Sequence, residues 1–209
     1  MPFVALREDT RERIYIGDYQ DPRQALSGVE LVCSDCHMPM QIKQGTVICH
    51  HFAHKPGDRL PCYWRDHSGA ESHSHLLAKR AVIEYLNHEP RPFGQCTIEV
   101  EYPITTPNGK RRYIDVFVAT QDGDRFAHEI QLSKQSLEEF QERTADYRAV
   151  DIEPVWWLSG ETATNENKVW CERNCYYFGE VSIGTFSRRV DTAKFNSDGK
   201  VIEREESWY

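Results

Sequence analysis

The spacing of apolar residues between positions 68 and 158 constrains the fold of this chain more than any other feature of its sequence. A helical spacing comes first, alternation in twos follows over three segments, and a second helical stretch leads into a short apolar run. Helices are predicted from Ser68 and from Ser136. The predicted strands lie at residues 96–104, 112–120, 125–132 and 154–158. The order is α-β-β-β-α-β, and because the last strand returns after a helix, we expect a mixed α/β sheet with a right-handed crossover.

The composition changes near Gly57, where a segment rich in cysteine, histidine and loops gives way to this periodic structure. We expect residues 1–66 to hold N-terminal strands and a metal-binding module. Residues 67–209 are expected to form the main domain with a C-terminal extension of strands.

The sequence offers no segment for crossing or passing a membrane. No apolar run approaches the roughly 20 residues that span a bilayer. Charge interrupts the first residues before the apolar region of a signal peptide could form. We therefore expect a cytoplasmic protein in a reducing compartment, with no membrane partner.

Two pairs of metal-binding side chains lie in the N-terminal part. Cys33 and Cys36 form one pair and His51 and His54 the other, each with two residues between its members. Such pairs can close a tetrahedral zinc site. Further donors nearby keep other ligand sets open, namely His37, Cys49, His50 and Cys62. The alternative of buried thiols and surface histidines is weaker, because a loop-rich segment with little core needs the staple that zinc supplies.

Two acidic side chains lie inside predicted strands of the main domain. Asp115 has apolar neighbours on both sides, and Glu129 shares one face of the next strand with Gln131. A two-residue hairpin loop would put Asp115 on the face away from Glu129, whereas a three-residue loop places the two directly opposite. We predict the three-residue loop 121–123, which ends in Gly123 as such a loop prefers. Facing carboxylates repel, so we expect a cation between them; solvated acids on an exposed face are the alternative.

One stripe of the first predicted helix carries Glu71, His75 and Lys79 at positions i, i+4 and i+8. Side chains at this spacing point in one direction and could face the same metal or phosphate. Such a stripe more often marks a solvated face, and it indicates a site only together with the acidic strands.

These residues, in this order, resemble the nuclease domain of the CoiA-like family of competence proteins. The resemblance covers roughly residues 68–158. It rests on Glu71-Ser72, His75, Asp115, Glu129-Ile130-Gln131, Arg143-Thr144 and Tyr147. The family belongs to the PD-(D/E)XK nuclease superfamily, whose core has the same order of elements. It similarly places a cysteine pair and a His-Phe-Ala-His segment before the nuclease domain, which favours Cys33, Cys36, His51 and His54 as ligands of a structural zinc.

The resemblance implies a Mg²⁺- or Mn²⁺-dependent deoxyribonuclease in DNA processing, recombination or defence. Asp115, Glu129 and Glu71 would hold magnesium, Gln131 would position the attacking water, and His75 and Lys79 would complete the catalytic set. The chain departs from the superfamily at Gln131, which stands in place of the name-giving lysine. An amide can hydrogen-bond but carries no charge, so Lys79 or Arg143 would have to supply it.

The formal net charge of −8 argues against a protein that coats nucleic acid through basic residues. It is compatible with a nuclease, whose acidic residues surround cations. An acidic monomer would hold DNA weakly, so we expect a homodimer or a subunit of a larger DNA-processing complex. The principal alternative is a catalytically inactive nuclease fold that binds nucleic acid or joins a complex, and Gln131 is the residue that favours it.

Overall fold

The computed structural model describes residues 2–45, 50–57, 60–66, 73–88, 94–159, 164–175, 177–183, 188–195 and 201–208. The chain divides into two units, Met1–Leu76 and Leu77–Tyr209, with the boundary inside the helix α3 (His73–Asn87). The predicted division after residue 66 stays a proposal. Among the described residues, no helix combines the length and apolar character needed to span a membrane.

The first unit is built from short strands, two single-turn α-helices and one turn of 3-10 helix at Ile16–Asp18. Its strands are β1 (Val4–Arg7), β2 (Arg13–Tyr15), β3 (Leu31–Cys33), β4 (Met40–Lys43) and β5 (His51–His54). The helices are α1 (Pro22–Ala25) and α2 (Tyr63–Asp66). The first three strands form an antiparallel sheet in the order β2-β1-β3, and β4 pairs with β5 in a second small sheet. Each of the five strands buries at least one apolar side chain, among them Val4, Ile14, Val32, Met40 and Phe52.

The second unit is organised around one sheet whose described strands follow the chain. Its strands are β6 (Cys96–Thr105), β7 (Arg111–Thr120), β8 (Arg125–Gln131), β9 (Glu153–Ser159), β10 (Tyr177–Ile183), β11 (Arg188–Phe195) and β12 (Val201–Trp208). They form a seven-stranded sheet in sequential order. The β8–β9 and β9–β10 pairs are parallel and the others antiparallel. The predicted mixed sheet and the order from α3 to β9 are confirmed.

Helices cover both faces of this sheet. Neighbouring residues on a strand point to opposite faces, and Trp156 and Trp157 belong to different apolar clusters. Trp157 packs with residues of α3, whereas Trp156 packs with α4 (Leu137–Arg148) and α5 (Asn165–Asn174). Both tryptophans are fully buried. The middle of the sheet is therefore closed to water on both sides, and any polar residue there needs a partner inside the protein.

The hairpin between β7 and β8 has the predicted three-residue loop. Thr120 and Asp124 close it with a hydrogen bond from the Thr120 amide to the Asp124 carbonyl, 2.9 Å long. Gly123 adopts a φ of +94°, the left-handed region that favours glycine. The loop sets the β7–β8 register, which pairs Val116 with His128 and confirms the predicted alignment.

The helices α4 and α5 differ in how far the sequence predicts them. Helix α4 begins after Ser136, as predicted, and Ser136 and Glu139 form a capping box there. Helix α5 was not predicted, because its sequence is mostly polar and buries only Asn167 and Cys171. Thr164 caps it by accepting a hydrogen bond from the Asn167 amide, and this cap was the one local sign of a helix start.

Candidate active site and metal cluster

The two acidic residues lie where β7 and β8 stop pairing through their backbones. The row after Val116 and His128 places Asp115 opposite Glu129. Here side chains take over the hydrogen bonds between the strands. The Ile130 amide donates to Asp115 Oδ2 at 3.0 Å, and the Asp115 amide donates to Glu129 Oε1 at 3.4 Å. Each carboxylate therefore binds the backbone of the neighbouring strand, which fixes both acids in the opening between the strands.

Glu129 is completely buried and is held by helix α4. Arg143 forms an ion pair with its Oε2, and the Tyr147 hydroxyl donates to its Oε1 at 2.7 Å. Burial raises the pKa of Tyr147, so the hydroxyl keeps its proton and remains a donor. A buried carboxylate needs such partners to stay charged.

Asp115 is held from the other side by helix α3. Lys79 Nζ lies 2.9 Å from Asp115 Oδ1, and the lysine side chain is only 1% exposed. The same ammonium lies 3.6 Å from an oxygen of Glu101, which is also 1% exposed. Asp115 keeps 13% of its side chain exposed, so it is the carboxylate of this group that solvent reaches.

Two basic residues of the chain itself lie beside the facing acids. Lys79 and Arg143, two cations of the chain itself, offset the repulsion between Asp115 and Glu129. Glu101 brings a third carboxylate to the described part of this group. Carboxylate oxygens are the ligands that Mg²⁺ prefers, so the donor type of Asp115 and Glu129 fits a divalent metal ion.

The other predicted catalytic residues are placed as follows. Gln131 is half-buried at the end of β8, where its amide nitrogen donates to the carbonyl and the hydroxyl of Ser133, both at 2.9 Å. His75 is half-buried on α3. Glu71 lies outside the described residues. The alternative that Lys79 belongs to a solvated helix face is wrong, because its side chain is buried against acids.

Glu101 is the residue of this group that the sequence analysis missed. It lies between Val100 and Tyr102 in β6, so it carries the same sign that identified Asp115, an acid inside an apolar stretch of strand. Two basic residues at or next to the start of β7 already form ion pairs with helix α4. Lys110 pairs with Glu142, and Arg112 with Asp146 at 2.7 Å.

A second group of polar side chains gathers in the N-terminal unit. Its four members are Cys33, Cys36, His54 and Cys62, whose donor atoms all lie within 4.8 Å of one another. The Cys33 and Cys62 sulfurs are 3.6 Å apart, and His54 Nε2 is 3.2 Å from the Cys36 sulfur. An ideal tetrahedron with Zn–S bonds of about 2.3 Å has sulfurs roughly 3.7 Å apart. The geometry and the donor set fit a closed zinc site.

The cluster differs from the predicted ligand set at one position, where Cys62 replaces His51. Strand β5 runs from His51 to His54, and residues three apart on a strand point to opposite faces. Once His54 faces the cysteines, His51 cannot. Of the other candidate donors, Cys62 was among those left open, and Cys49 lies outside the described residues.

The chemistry of the thiols agrees with a metal-binding cluster. Burial raises the pKa of both the Cys33 and the Cys62 thiols, so without a cation these sulfurs carry protons. Zinc binds thiolates and displaces those protons. The Asp35 amide also donates to the Cys33 sulfur at 3.4 Å, a contact that supports a charged sulfur.

Comparison with known proteins places two family models on the chain. The model described as "Competence protein CoiA, nuclease-like domain" matches residues 71–179, more than half of the chain. The model "Competence protein CoiA, N-terminal domain" matches residues 19–59. Cys62 lies between the two matched segments.

The comparisons with individual proteins add little. No curated protein matches this chain. Among solved structures, the crystal structure of a repair endonuclease from Pyrococcus abyssi aligns at 16% sequence identity with a TM-score of 0.32. The alignment covers 47% of this chain and 43% of that one, so the chain spans less than half of that structure.

Proposed function

We propose that this chain, which belongs to the competence protein CoiA family, is a metal-dependent nuclease that hydrolyses phosphodiester bonds in DNA. One observation carries the proposal. Asp115 and Glu129 lie opposite each other on adjacent strands, and each carboxylate accepts a hydrogen bond from a backbone amide of the neighbouring strand. The basic residues Lys79 and Arg143 flank them. This supports the finer assignment of the second unit to the PD-(D/E)XK fold, in which the elements from α3 to β9 form the core.

The proposed metal ligands are Asp115 and Glu129, joined by Glu71 on the strength of the resemblance. When bound, Mg²⁺ or Mn²⁺ would lower the pKa of a water molecule and offset charge on the phosphate. Asp115 is the ligand that solvent reaches. The Tyr147 hydroxyl and Arg143 hold Glu129 in place, which is the kind of support that fixes metal-ligand geometry.

Gln131 is proposed to position the attacking water. Its amide nitrogen is committed to Ser133, so its carbonyl oxygen is the atom that can accept a hydrogen bond from water. The charge that a lysine would bring at this place would come from Lys79, which contacts Asp115, or from Arg143, which pairs with Glu129. His75 on α3 stays a candidate for contact with the scissile phosphate.

The further assignments follow from the same proposal. Zinc at Cys33, Cys36, His54 and Cys62 is structural, since four protein ligands close the site. The partner is DNA, and the pathway is DNA processing, recombination or defence in the cytoplasm. The net charge of −8 favours a homodimer or a larger complex that adds basic surface.

A non-catalytic role is the second candidate, and two observations favour it. Gln131 occupies the place of a catalytic lysine, and Glu129 is fully buried in an ion pair with Arg143. In this reading the fold binds nucleic acid or a protein without cutting.

A cleavage assay with labelled single- and double-stranded DNA tests the proposal. Mg²⁺ should be omitted rather than chelated, because a chelator would also strip zinc. We expect cutting with Mg²⁺ or Mn²⁺, and a loss on the order of 100-fold or more in Asp115→Asn and Glu129→Gln. Glu142→Gln makes the same chemical change at an exposed residue of α4 and should cut like the wild type. DNA binding without cutting by the wild-type protein would favour the non-catalytic role.

A further inference from the structure

Lys79 is shared between two acidic residues. Its ammonium lies 2.9 Å from Asp115 and 3.6 Å from Glu101. Lysine is rarely buried as deeply as it is here, because its charge loses hydration and must be matched inside the protein. Glu101 brings a second carboxylate to the same ammonium.

Glu101 reaches the lysine through an unusual backbone conformation. Its φ is +52°, in the left-handed region that side chains other than glycine and asparagine rarely adopt. The pairing of β6 with β7 continues on both sides of it, at Val100 with Val116 and at Tyr102 with Ile114. The register is thus maintained while a single residue turns out of the strand.

This turn changes the face to which β6 side chains point. Ile98 packs in the cluster that contains α3, whereas Tyr102 and Ile104 pack in the cluster that contains α4. All three positions are even, so uninterrupted alternation would keep them on one face. It would also place Glu101 on the face away from α3. The left-handed residue is therefore what brings its carboxylate to Lys79.

Strand β7 changes face at the matching row. Val116 packs with α3, and Ile114 packs with the cluster that contains α4. Asp115 lies between them and contacts Lys79. The two irregularities lie side by side in the sheet, so both carboxylates point at one ammonium. Conformations of this kind persist where the surroundings enforce them, and they concentrate at functional sites.

We propose that Glu101 is a positioning residue of the candidate active site. Because Glu101 shares the positive charge of Lys79, it leaves Asp115 able to bind a divalent cation. This inference rests on the proposed function, since it takes Asp115 to be a metal ligand. The ammonium of Lys79 contacts both carboxylates, so its charge is divided between Asp115 and Glu101 and is not matched by Asp115 alone.

Binding of Mn²⁺ to the full, zinc-loaded chain tests this role without relying on activity. Electron paramagnetic resonance of free Mn²⁺ gives the affinity. Glu101→Gln keeps the shape of the side chain and removes its charge, and we expect Mn²⁺ binding to weaken at least about tenfold. Glu99→Gln is the matched control, the same change two residues earlier on β6, and should bind like the wild type. Asp115→Asn should abolish binding at this site.

A second variant keeps the test valid if Glu101→Gln unfolds. Glu101→Gly also removes the carboxylate, and glycine adopts the left-handed conformation without strain. It should fold and still bind Mn²⁺ weakly. Wild-type affinity in either folded variant would overturn the inference, as would a wild-type protein that binds no Mn²⁺ through Asp115.

Cleavage measured beside binding separates this inference from the proposed function. If Mn²⁺ binding depends on Glu101 but the wild-type chain cuts no DNA, the nuclease proposal fails and the role of Glu101 stands. If the wild-type chain cuts DNA and Glu101→Gln binds and cuts equally well, the nuclease stands and the role of Glu101 fails.

Discussion

At the scale of single residues, Glu129 owes its charge inside the protein to helix α4. Arg143 pairs with its carboxylate and also lies over the Trp156 ring, 5.1 Å from the ring centre. Tyr147 donates the second hydrogen bond. The cost of a buried ion pair becomes visible when only one partner is removed, because the other charge is then left without compensation.

Arg143→Met should lower the free energy of unfolding by about 3 kcal/mol, because it leaves the buried Glu129 carboxylate without its cationic partner. The double variant Arg143→Met/Glu129→Gln removes both charges and should recover a large part of that loss. Urea unfolding of the two single variants, the double variant and the wild type completes the cycle. Equal stability of the single and double variants would show that Glu129 does not depend on Arg143 for its charge.

His128 makes stability depend on pH. Burial lowers the pKa of His128 to about 3, and the Trp157 indole donates to its Nδ1 at 2.9 Å. The folded protein keeps the imidazole neutral, whereas the unfolded chain takes up a proton below a pKa of 6.5. The free energy of unfolding should therefore fall as the pH drops from about 6.5 towards 3, by about 2 kcal/mol at pH 5.

The variant His128→Asn isolates this contribution. Asparagine keeps an acceptor for Trp157 but does not titrate, so the variant should lose less stability than the wild type between pH 7 and pH 5. Loss of zinc at low pH affects both proteins alike and cancels in the difference. Parallel pH dependence of the two urea midpoints would exclude His128 as the source.

At the scale of elements, the β7–β8 hairpin shows how one loop residue sets the geometry of the site. Gly123 has a φ of +94°, and a side chain added there would meet no atom within 4 Å. Gly123→Ala should thus cost about 1 kcal/mol through conformation alone. Gly123→Asn should cost less, because asparagine tolerates left-handed conformations. Urea unfolding measures both, and an alanine variant as stable as the wild type would show that the loop can adopt another form.

The elements that the sequence predicts well are those with a strong local pattern. The capping box fixes the start of α4, and the glycine in the hairpin loop fixes the register that places Asp115 opposite Glu129. The sequence does not predict helix α5, because only two of its residues are buried. Periodicity needs several apolar positions before it indicates a helix.

The sequence does not predict those parts of the candidate site in which a strand departs from regular alternation. Alternation in twos assumes an uninterrupted strand, and β6 and β7 both change face at the row of Glu101 and Asp115. The partners Lys79 and Arg143 come from helices on opposite faces of the sheet, and no spacing within a strand reveals them. Cys62 was also hard to predict as a ligand, because it has no partner ligand close by in the sequence and meets the cluster only in the folded protein.

At the scale of the whole molecule, the cysteine cluster brings together residues that lie far apart in the first unit, from Cys33 to Cys62. Cys62→Ser should release one equivalent of zinc per chain and lower the resistance of the N-terminal unit to proteolysis. His51→Gln is the matched control, because His51 lies outside the cluster, and it should retain zinc. Metal analysis of the purified variants decides between the two ligand sets. Zinc loss in His51→Gln together with zinc retention in Cys62→Ser would support the predicted ligand set that contains His51.

The sequential order of the described strands from β6 to β12 bears on how the second unit assembles. Each strand pairs with the one made just before it, so no strand has to wait for a distant partner or be inserted between two others. Chains with such near-neighbour pairing close short loops and fold faster than chains with distant pairings. On the ribosome, where synthesis proceeds at about 5–20 residues per second, the sheet can grow strand by strand. Exposed edges would then persist only until the next strand emerges.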